Sequence, residues 1–560
     1  MTEVVKGEDR DSSGNLSPSD QMDVIYHIAL IEPTLLRCVL PTLQDALEIE
    51  NVDGRLRFVE LFERIFTSND TPVAKVFGPL FAAFLKRAND ISVDIRCVIV
   101  RACGRALEFS PDFRQQVSLI LRERTLDPDE RVRQAAVDAV CTVAETRPDV
   151  VESELLRSLT GRMLDKKASV RQTALERMAK LFNAHCARYW SDAKPVPVHS
   201  KKFSRIPQQI IAVLNASLAD RGAFAAKVFD TKLMSSKASV KERTQLLLAM
   251  FATCDEAHRQ SFLKHFIHLV SSGKSKVRDI LSLREKIRRN DAEARPGVLK
   301  RQKEDRMQKL IQEQLPIHTS LDSFEELLTC ENQKVFKYLG VLANPASKYM
   351  EILGAKKELV AAIKACGKSA KISQIGEQVG ECISGTVLGS DNIPHLLNLV
   401  KKHFGDGGNP KLANDGLTIL LEIAAHSPGT VAPHIELFAA CLQNQHLSQD
   451  SNTSLLEVIP FFPINLHSLA YINSLFQIIS KCATIEGVDE SLRYALFCQP
   501  CLIKSHTFPI FSEYTSLFRE YALEGSVDEA KFAAPVLVAI GKQDRELLED
   551  VVLVNTAGRY

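Results

Sequence analysis

Cys498-Gln-Pro-Cys501, with His506 close behind, is the sharpest chemical spacing in this chain of 560 residues. Two thiolates so placed suit a structural zinc ion or a redox pair. A zinc site needs a second ligand pair at matching range, and none follows. A thioredoxin-like pair needs a βαβ setting, and strand patterns are nearly absent. The two cysteines therefore read as buried thiols at a helix end. Gly273-Lys274-Ser275 and Gly367-Lys368-Ser369 each carry the end of a phosphate-binding loop. The glycine required five residues earlier is His268 in one and Ala362 in the other, so no backbone cradle for phosphate forms. His265 and His268 lie in the apolar helix Phe262 to Val270 and read as core or interface histidines rather than metal ligands. No Gly-x-Ser-x-Gly elbow, His-Glu-x-x-His helix or carboxylate pair in a catalytic setting occurs. The expectation is a non-enzymatic protein with no cofactor and no metal.

One charged stretch remains. Lys274 to Lys309 holds 13 basic and 6 acidic residues, a net of +7 (13 − 6). Its bland reading is a solvated helix face or linker. Its functional reading is a patch, represented by Lys274, Arg278, Arg284, Arg288 and Arg289, for an acidic partner, nucleic acid or a nuclear import receptor. It contains no aromatic residue to stack on bases, so only weak electrostatic DNA contact is expected.

The elements that must hold these groups are announced by a repeat. Asp90-Ile-Ser-Val-Asp-Ile-Arg96 returns as Asp127-Pro-Asp-Glu-Arg-Val-Arg133 and as Asp165-Lys-Lys-Ala-Ser-Val-Arg171. The arginines are 37 and 38 residues apart (133 − 96, 171 − 133). A degenerate copy, Asn51-Val-Asp-Gly-Arg-Leu-Arg57, precedes them. This period means stacked helix pairs. After Asp127, Val132, Ala135, Ala136, Ala139, Val140 and Val143 make the stripe of a helix with one buried face. Asp127 is placed to cap that helix, with Pro128 at its first position and Glu130 completing a capping box. The Asp-to-Arg spacing is that of HEAT repeats. Asp90, Arg96, Asp127, Arg133, Asp165 and Arg171 read as a structural ladder, each arginine reaching the aspartate of the neighbouring repeat.

Composition agrees with an extended array. The chain is too long for one compact core. Hydrophobic residues are 45% and charged residues 25%, and 70 basic against 69 acidic residues leave a net charge of +1. A surface that grips nucleic acid throughout is excluded. The 13 cysteines show no disulfide framework, and their odd number suits a reducing compartment. Residues 1–20 read as a disordered tail without the apolar segment of a secretory signal. Residues 21–190 read as regular HEAT repeats, and 191–320 as irregular helical repeats with a Pro195, Pro197 loop and the basic stretch. Residues 321–560 read as further HEAT-like repeats. Leu417, Leu420, Leu421 and Ala424 form one stripe there, and Ile435, Phe438, Ala439 and Leu442 its antiparallel return. The end, Val551 to Tyr560, lacks a polar capping helix and reads as truncated. No apolar run is long enough to cross a membrane. The fold class is all-α, a curved α-solenoid of the armadillo-like HEAT type.

Particular residues also carry a resemblance. Cys38-Val-Leu-Pro-Thr-Leu43, Arg55-Leu-Arg-Phe-Val59, Phe84-Leu-Lys-Arg-Ala-Asn-Asp90, Arg122-Glu-Arg-Thr-Leu-Asp127 and Leu164-Asp-Lys-Lys167 follow one another at fitting distances. Fainter matches are Val277-Arg-Asp-Ile-Leu281 and Gly416-Leu-Thr-Ile-Leu-Leu421. In this order they resemble the precocious-dissociation-of-sisters cohesion proteins, HEAT-repeat regulators of cohesin. The resemblance implies a chromatin-associated nuclear scaffold without catalysis that binds the cohesin kleisin subunit. It also implies recruitment of the releasing factor Wapl and support of cohesin acetylation. The family's Ala-Pro-Asp docking motif for Wapl has no counterpart here, and no short motif identifies kleisin contacts. Other HEAT scaffolds, such as a nuclear transport receptor or a phosphatase scaffold subunit, stay open as alternatives.

Overall fold

A computed structural model describes residues 18–438, apart from 33, 36–39, 68–75, 215–218, 235–237, 290–295, 316–318, 367–368, 386, 405–406 and 435–436; beyond 438 it describes three positions. The Cys498–Cys501 pair, residues 551–560 and Ile435, Ala439 and Leu442 lie outside the described residues. The described elements are all helical. They fall into two compact units that divide between Ser235 and Ser236.

The first unit runs α1 (Pro18–Ile31), α2 (Leu40–Ala46), α3 (Val52–Phe66), α4 (Gly78–Lys86), α5 (Val93–Phe109), α6 (Arg114–Arg124), α7 (Glu130–Thr146), α8 (Ser153–Gly161), α9 (Ala168–Phe182), α10 (Arg188–Ser191), α11 (Ile206–Leu214) and α12 (Ala219–Val228). The first described helix thus begins inside the stretch read as a tail. Helices α3, α5, α7 and α9 pack side by side, and α4, α6 and α8 each pair with one of them. That is the two-layer HEAT arrangement.

Helix α7 shows why the layer forms. Val132, Ala136, Val137, Val140, Cys141, Val143 and Ala144 are buried, a wider face than the sequence stripe, because neighbours cover both flanks. Ala135 and Ala139 are only half-buried. A fully buried valine contributes about 1.5–3 kcal/mol. On α5, Gly104 lets the backbones approach: a Cβ there would lie 2.9 Å from the Ala139 Cβ. Nearer the start, Phe66 packs edge-on against Phe81 with centroids 5.0 Å apart, and Phe81 against Phe113 at 4.7 Å. The Pro195, Pro197 loop leads into a 3-10 turn, Val198–Arg205.

The second unit continues with α13 (Val240–Thr253), α14 (Glu256–Leu263), a π-helical turn (Lys264–His268), α15 (Leu269–Arg289), α16 (Pro296–Gln314), α17 (Leu321–Leu328), α18 (Gln333–Ala343), α19 (Tyr349–Lys364), α20 (Ala370–Ile383), α21 (Asn392–Phe404), α22 (Pro410–His426) and α23 (Pro428–Val431). Ser239 and Glu242 form a reciprocal capping box that starts α13. Met307, Leu310, Phe324, Leu339, Ile352 and Val379 share one core. Asn392 Nδ2 donates to Thr244 Oγ1 at 2.9 Å, joining α21 to α13. On α22, Leu417, Leu420 and Ala424 are buried while Leu421 is only half-buried. Past α23, Phe438 is buried.

One expectation about cysteines is corrected. Cys330, beyond the end of α17, and Cys366, beyond the end of α19, are disulfide-bonded with Cα atoms 6.7 Å apart. Their separation of 36 residues matches no framework spacing, so nothing in the cysteine pattern signals the bond. Cys97, Cys103, Cys141, Cys186 and Cys254 are buried thiols, and burial pushes Cys103 up to about 12.

Candidate functional site

The ladder occupies the turns that join the two helices of each repeat in the first unit. Asp127 Oδ2 and Oδ1 accept from Nε and Nη2 of Arg96, both at 3.0 Å. Asp165 accepts the same fork from Arg133 at 2.8 and 2.9 Å. Each aspartate also accepts a backbone N–H two residues on: Ser92 for Asp90 at 2.9 Å, Asp129 for Asp127 at 2.9 Å and Lys167 for Asp165 at 3.0 Å. The outer guanidinium nitrogen of each arginine turns back to its own repeat. Arg96 Nη1 donates to Asp90 O, Arg133 Nη1 to Asp127 O and Arg171 Nη1 to Asp165 O, each at 2.8 Å. One side chain thus closes its own turn and grips the next repeat.

Three details differ from the sequence reading. The arginine that serves Asp90 is Arg55, not Arg57: Arg55 Nε and Nη2 donate at 2.8 and 3.0 Å. The first copy is irregular: Arg55 stands 41 residues before Arg96 (96 − 55) and Arg57 39 (96 − 57), so regular spacing falls two residues short of the arginine that reaches Asp90. Asp127 is also not the helix cap. The N-cap of α7 is Asp129, whose side chain accepts from the Arg131 amide at 2.8 Å, because Asp127 is committed to the arginines. Finally, a third arginine was missed in each rung. Arg87, Arg124 and Arg162, three residues before each aspartate, donate Nη1 to its Oδ2 at 3.4, 3.0 and 3.0 Å. The signal was present as Arg-x-x-Asp in register.

The electrostatics follow from this crowding. Burial alone would raise the Asp90 and Asp165 carboxyls, but the Arg55 or Arg133 fork, the backbone amide and the adjacent arginine outweigh it. Both are held below the usual carboxylate range. The hydrogen bonds that Arg133 donates to Asp165 raise the arginine further, against its desolvation. The ladder ends at Arg171. It has no carboxylate partner among the described residues and is only half-buried.

Beside the ladder runs a second periodic feature that the sequence reading passed over. Ile91, Leu126 and Leu164 are 84%, 67% and 47% exposed. Leu126 and Leu164 each immediately precede a ladder aspartate and so hold equivalent places in successive repeats, whereas Ile91 follows Asp90. An exposed leucine next to a buried aspartate is its sequence signal.

The basic stretch does not form one patch. Helices α15 and α16 make an antiparallel hairpin, since Lys276 pairs with Glu313 and Arg306 with Asp279. Lys303 pairs with Glu325, and Lys309 with Asp305. Arg288 and Arg289 both grip Glu285, at 2.9 Å. Arg284 donates Nε to Leu328 O at 2.9 Å and lies 3.5 Å above the Phe336 ring. Lys274 is buried, and burial with the nearby Arg278 charge lowers it to about 8. Arg278 is exposed. Of the five representative cations, two are drawn into packing and two are clamped by one glutamate.

His265 is lowered to about 4, by burial and by Lys264. His268 Nε2 lies 2.6 Å from Glu422 Oε2, and its ring stacks on His426 with centroids 3.8 Å apart. No described helix is long and apolar enough to cross a membrane.

Comparison decides the family. The model of the family "PDS5: Sister chromatid cohesion protein PDS5 protein" matches residues 4–556. The chain belongs to the PDS5 family. A Xenopus laevis PDS5 homolog A-B and the Homo sapiens PDS5 homolog A are each 28% identical to it over 233 residues. The aligned part covers 42% of this chain and 17% of either relative. A structure of a Pds5–Scc1 complex matches with a TM-score of 0.63 at 15% identity, over 78% of this chain and 65% of that one. At that identity the likeness is one of fold, and it agrees with the HEAT-repeat architecture of this PDS5-family chain.

Proposed function

We propose that this chain is a non-catalytic HEAT-repeat scaffold that binds the cohesin kleisin subunit, the Scc1 class of partner, and so regulates sister-chromatid cohesion on nuclear chromatin. The family match across residues 4–556 carries the reading. The fold is supported by the likeness to the Pds5–Scc1 structure, whose partner is brought to this chain as part of the proposal.

Physical chemistry says how such an array would work. The ladder fixes each repeat against the next, so a row of side chains is set before any partner arrives. A mostly disordered segment can then order along it, and the scaffold itself gives up little freedom. The exposed Leu126 and Leu164, equivalent in successive repeats, suit one edge of that docking face. Packed helices lie about 8–10 Å apart, and an extended peptide rises about 3.3 Å per residue. Every third residue of the peptide would therefore meet one of them.

The test is retention of this chain by an immobilised N-terminal half of the kleisin, at low and at physiological salt. Capture at both salts is expected. No capture at low salt would overturn the reading.

A further inference from the structure

Where the π-helical turn Lys264–His268 packs against α22, three donor side chains converge. Glu422 and His426 are four residues apart on α22 and project from one face. His268 reaches them from 154 residues earlier in the chain, with Nε2 2.6 Å from Glu422 Oε2. His426 Nδ1 lies 3.5 Å from the same oxygen and 3.2 Å from the Glu422 carbonyl oxygen. One ligand atom from each residue falls within 4.8 Å of the others. The side chains are 31%, 31% and 42% exposed, open enough for a water to complete a coordination sphere.

We propose that His268, Glu422 and His426 form a Zn2+ site. Two imidazole nitrogens and one carboxylate oxygen are a donor set that zinc takes in four-coordinate sites, with water in the fourth position. Imidazole ligands favour zinc over magnesium or calcium. The ion takes the place of the hydrogen between His268 Nε2 and Glu422 Oε2, and His426 gives up its contact with the Glu422 carbonyl oxygen. Both rings already set a nitrogen beside one Glu422 oxygen, and because they lie nearly parallel one ring tilts on binding so that the two in-plane lone pairs meet at the ion. The bound ion would pin the π-helical turn to the end of α22.

The experiment is calorimetric titration of the metal-free full chain with Zn2+, alongside His426→Phe, Glu422→Gln and, as a control at the exposed histidine of the 3-10 turn Val198–Arg205, His199→Ala variants. His426→Phe keeps a stacked ring and loses the donor, so it separates binding from packing. Each variant is checked for an unchanged helical signal. The wild type and His199→Ala should take up one more equivalent than His426→Phe. Glu422→Gln should weaken that equivalent about tenfold or more. Co2+ should give a visible ligand-field band in the wild type that His426→Phe lacks, and Mg2+ should give no heat. Equal zinc stoichiometry and affinity in wild type, His426→Phe and Glu422→Gln would overturn the proposal.

Discussion

Arg96 binds both carboxylate oxygens of Asp127 at 3.0 Å, across 31 residues of chain, while its remaining nitrogen holds the Asp90 carbonyl oxygen at 2.8 Å. Both side chains are buried. Removing Asp127 therefore strands Arg96 and Arg124 together. Asp127→Ala should cost about 3–5 kcal/mol, the range for breaking a buried ion pair from one side. The double variant Arg96→Met/Asp127→Leu should cost less than Asp127→Ala alone. Urea denaturation of the single and double variants measures both quantities.

Acid should unfasten the ladder. The folded carboxyls of Asp90 and Asp165 are held below their ordinary value. Their contribution is therefore complete above the unfolded value, about 3.9, and is lost as pH falls through the folded one. Stability should be level above about pH 5 and should drop steeply below about pH 4. Thermal unfolding between these limits shows it. In Asp165→Asn the drop should be shallower.

The rungs should not be equal. Arg133 is buried and fully paired with Asp165, whereas Arg171 has no carboxylate among the described residues. Arg133→Ala should cost about 3 kcal/mol or more, and Arg171→Ala about 1 kcal/mol or less, mainly its two carbonyl contacts. Equal losses in denaturant midpoint would contradict the termination of the ladder at Arg171.

Lys274 should be a liability rather than a binding residue. Its ammonium is buried and lowered to about 8, so folding disfavours its charge. Lys274→Met should stabilise the protein by about 1–3 kcal/mol at neutral pH. The unfolded chain binds the extra proton between about pH 8 and pH 10, so wild-type stability should rise across that window and the gain should shrink. Denaturant titrations at neutral and alkaline pH check the sign.

Close packing at Gly104 is the last structural claim. A Cβ there meets the Ala139 Cβ at 2.9 Å, so the branched side chain of Gly104→Val must push α5 from α7. A loss of about 1–3 kcal/mol is expected, read as a lowered melting temperature.

How much of this was legible depends on the range over which the cause acts. Asp127 and Arg133 are six residues apart in a repeat that recurs, so the repeat type and the rung could be read from spacing. The misplacement of Arg57 for Arg55 arose where the copy is irregular and only three-dimensional reach decides. Arg87, Arg124 and Arg162 stood in register but were hidden by the abundance of arginine nearby. Lys274 looked like part of a charged run because charge density ignores which side of a helix meets the core. His268 and Glu422 are brought together by helix stacking over 154 residues, and no local pattern records that.

The central claim is that a preformed repeat surface takes up a kleisin segment. Isothermal titration of this chain with the kleisin's N-terminal half, repeated over temperature, tests it most directly. The account predicts saturable binding with a negative heat-capacity change, weakened about tenfold by Leu126→Asp/Leu164→Asp through lost apolar contact. An absence of saturable heat at low salt, with both proteins folded, would contradict it.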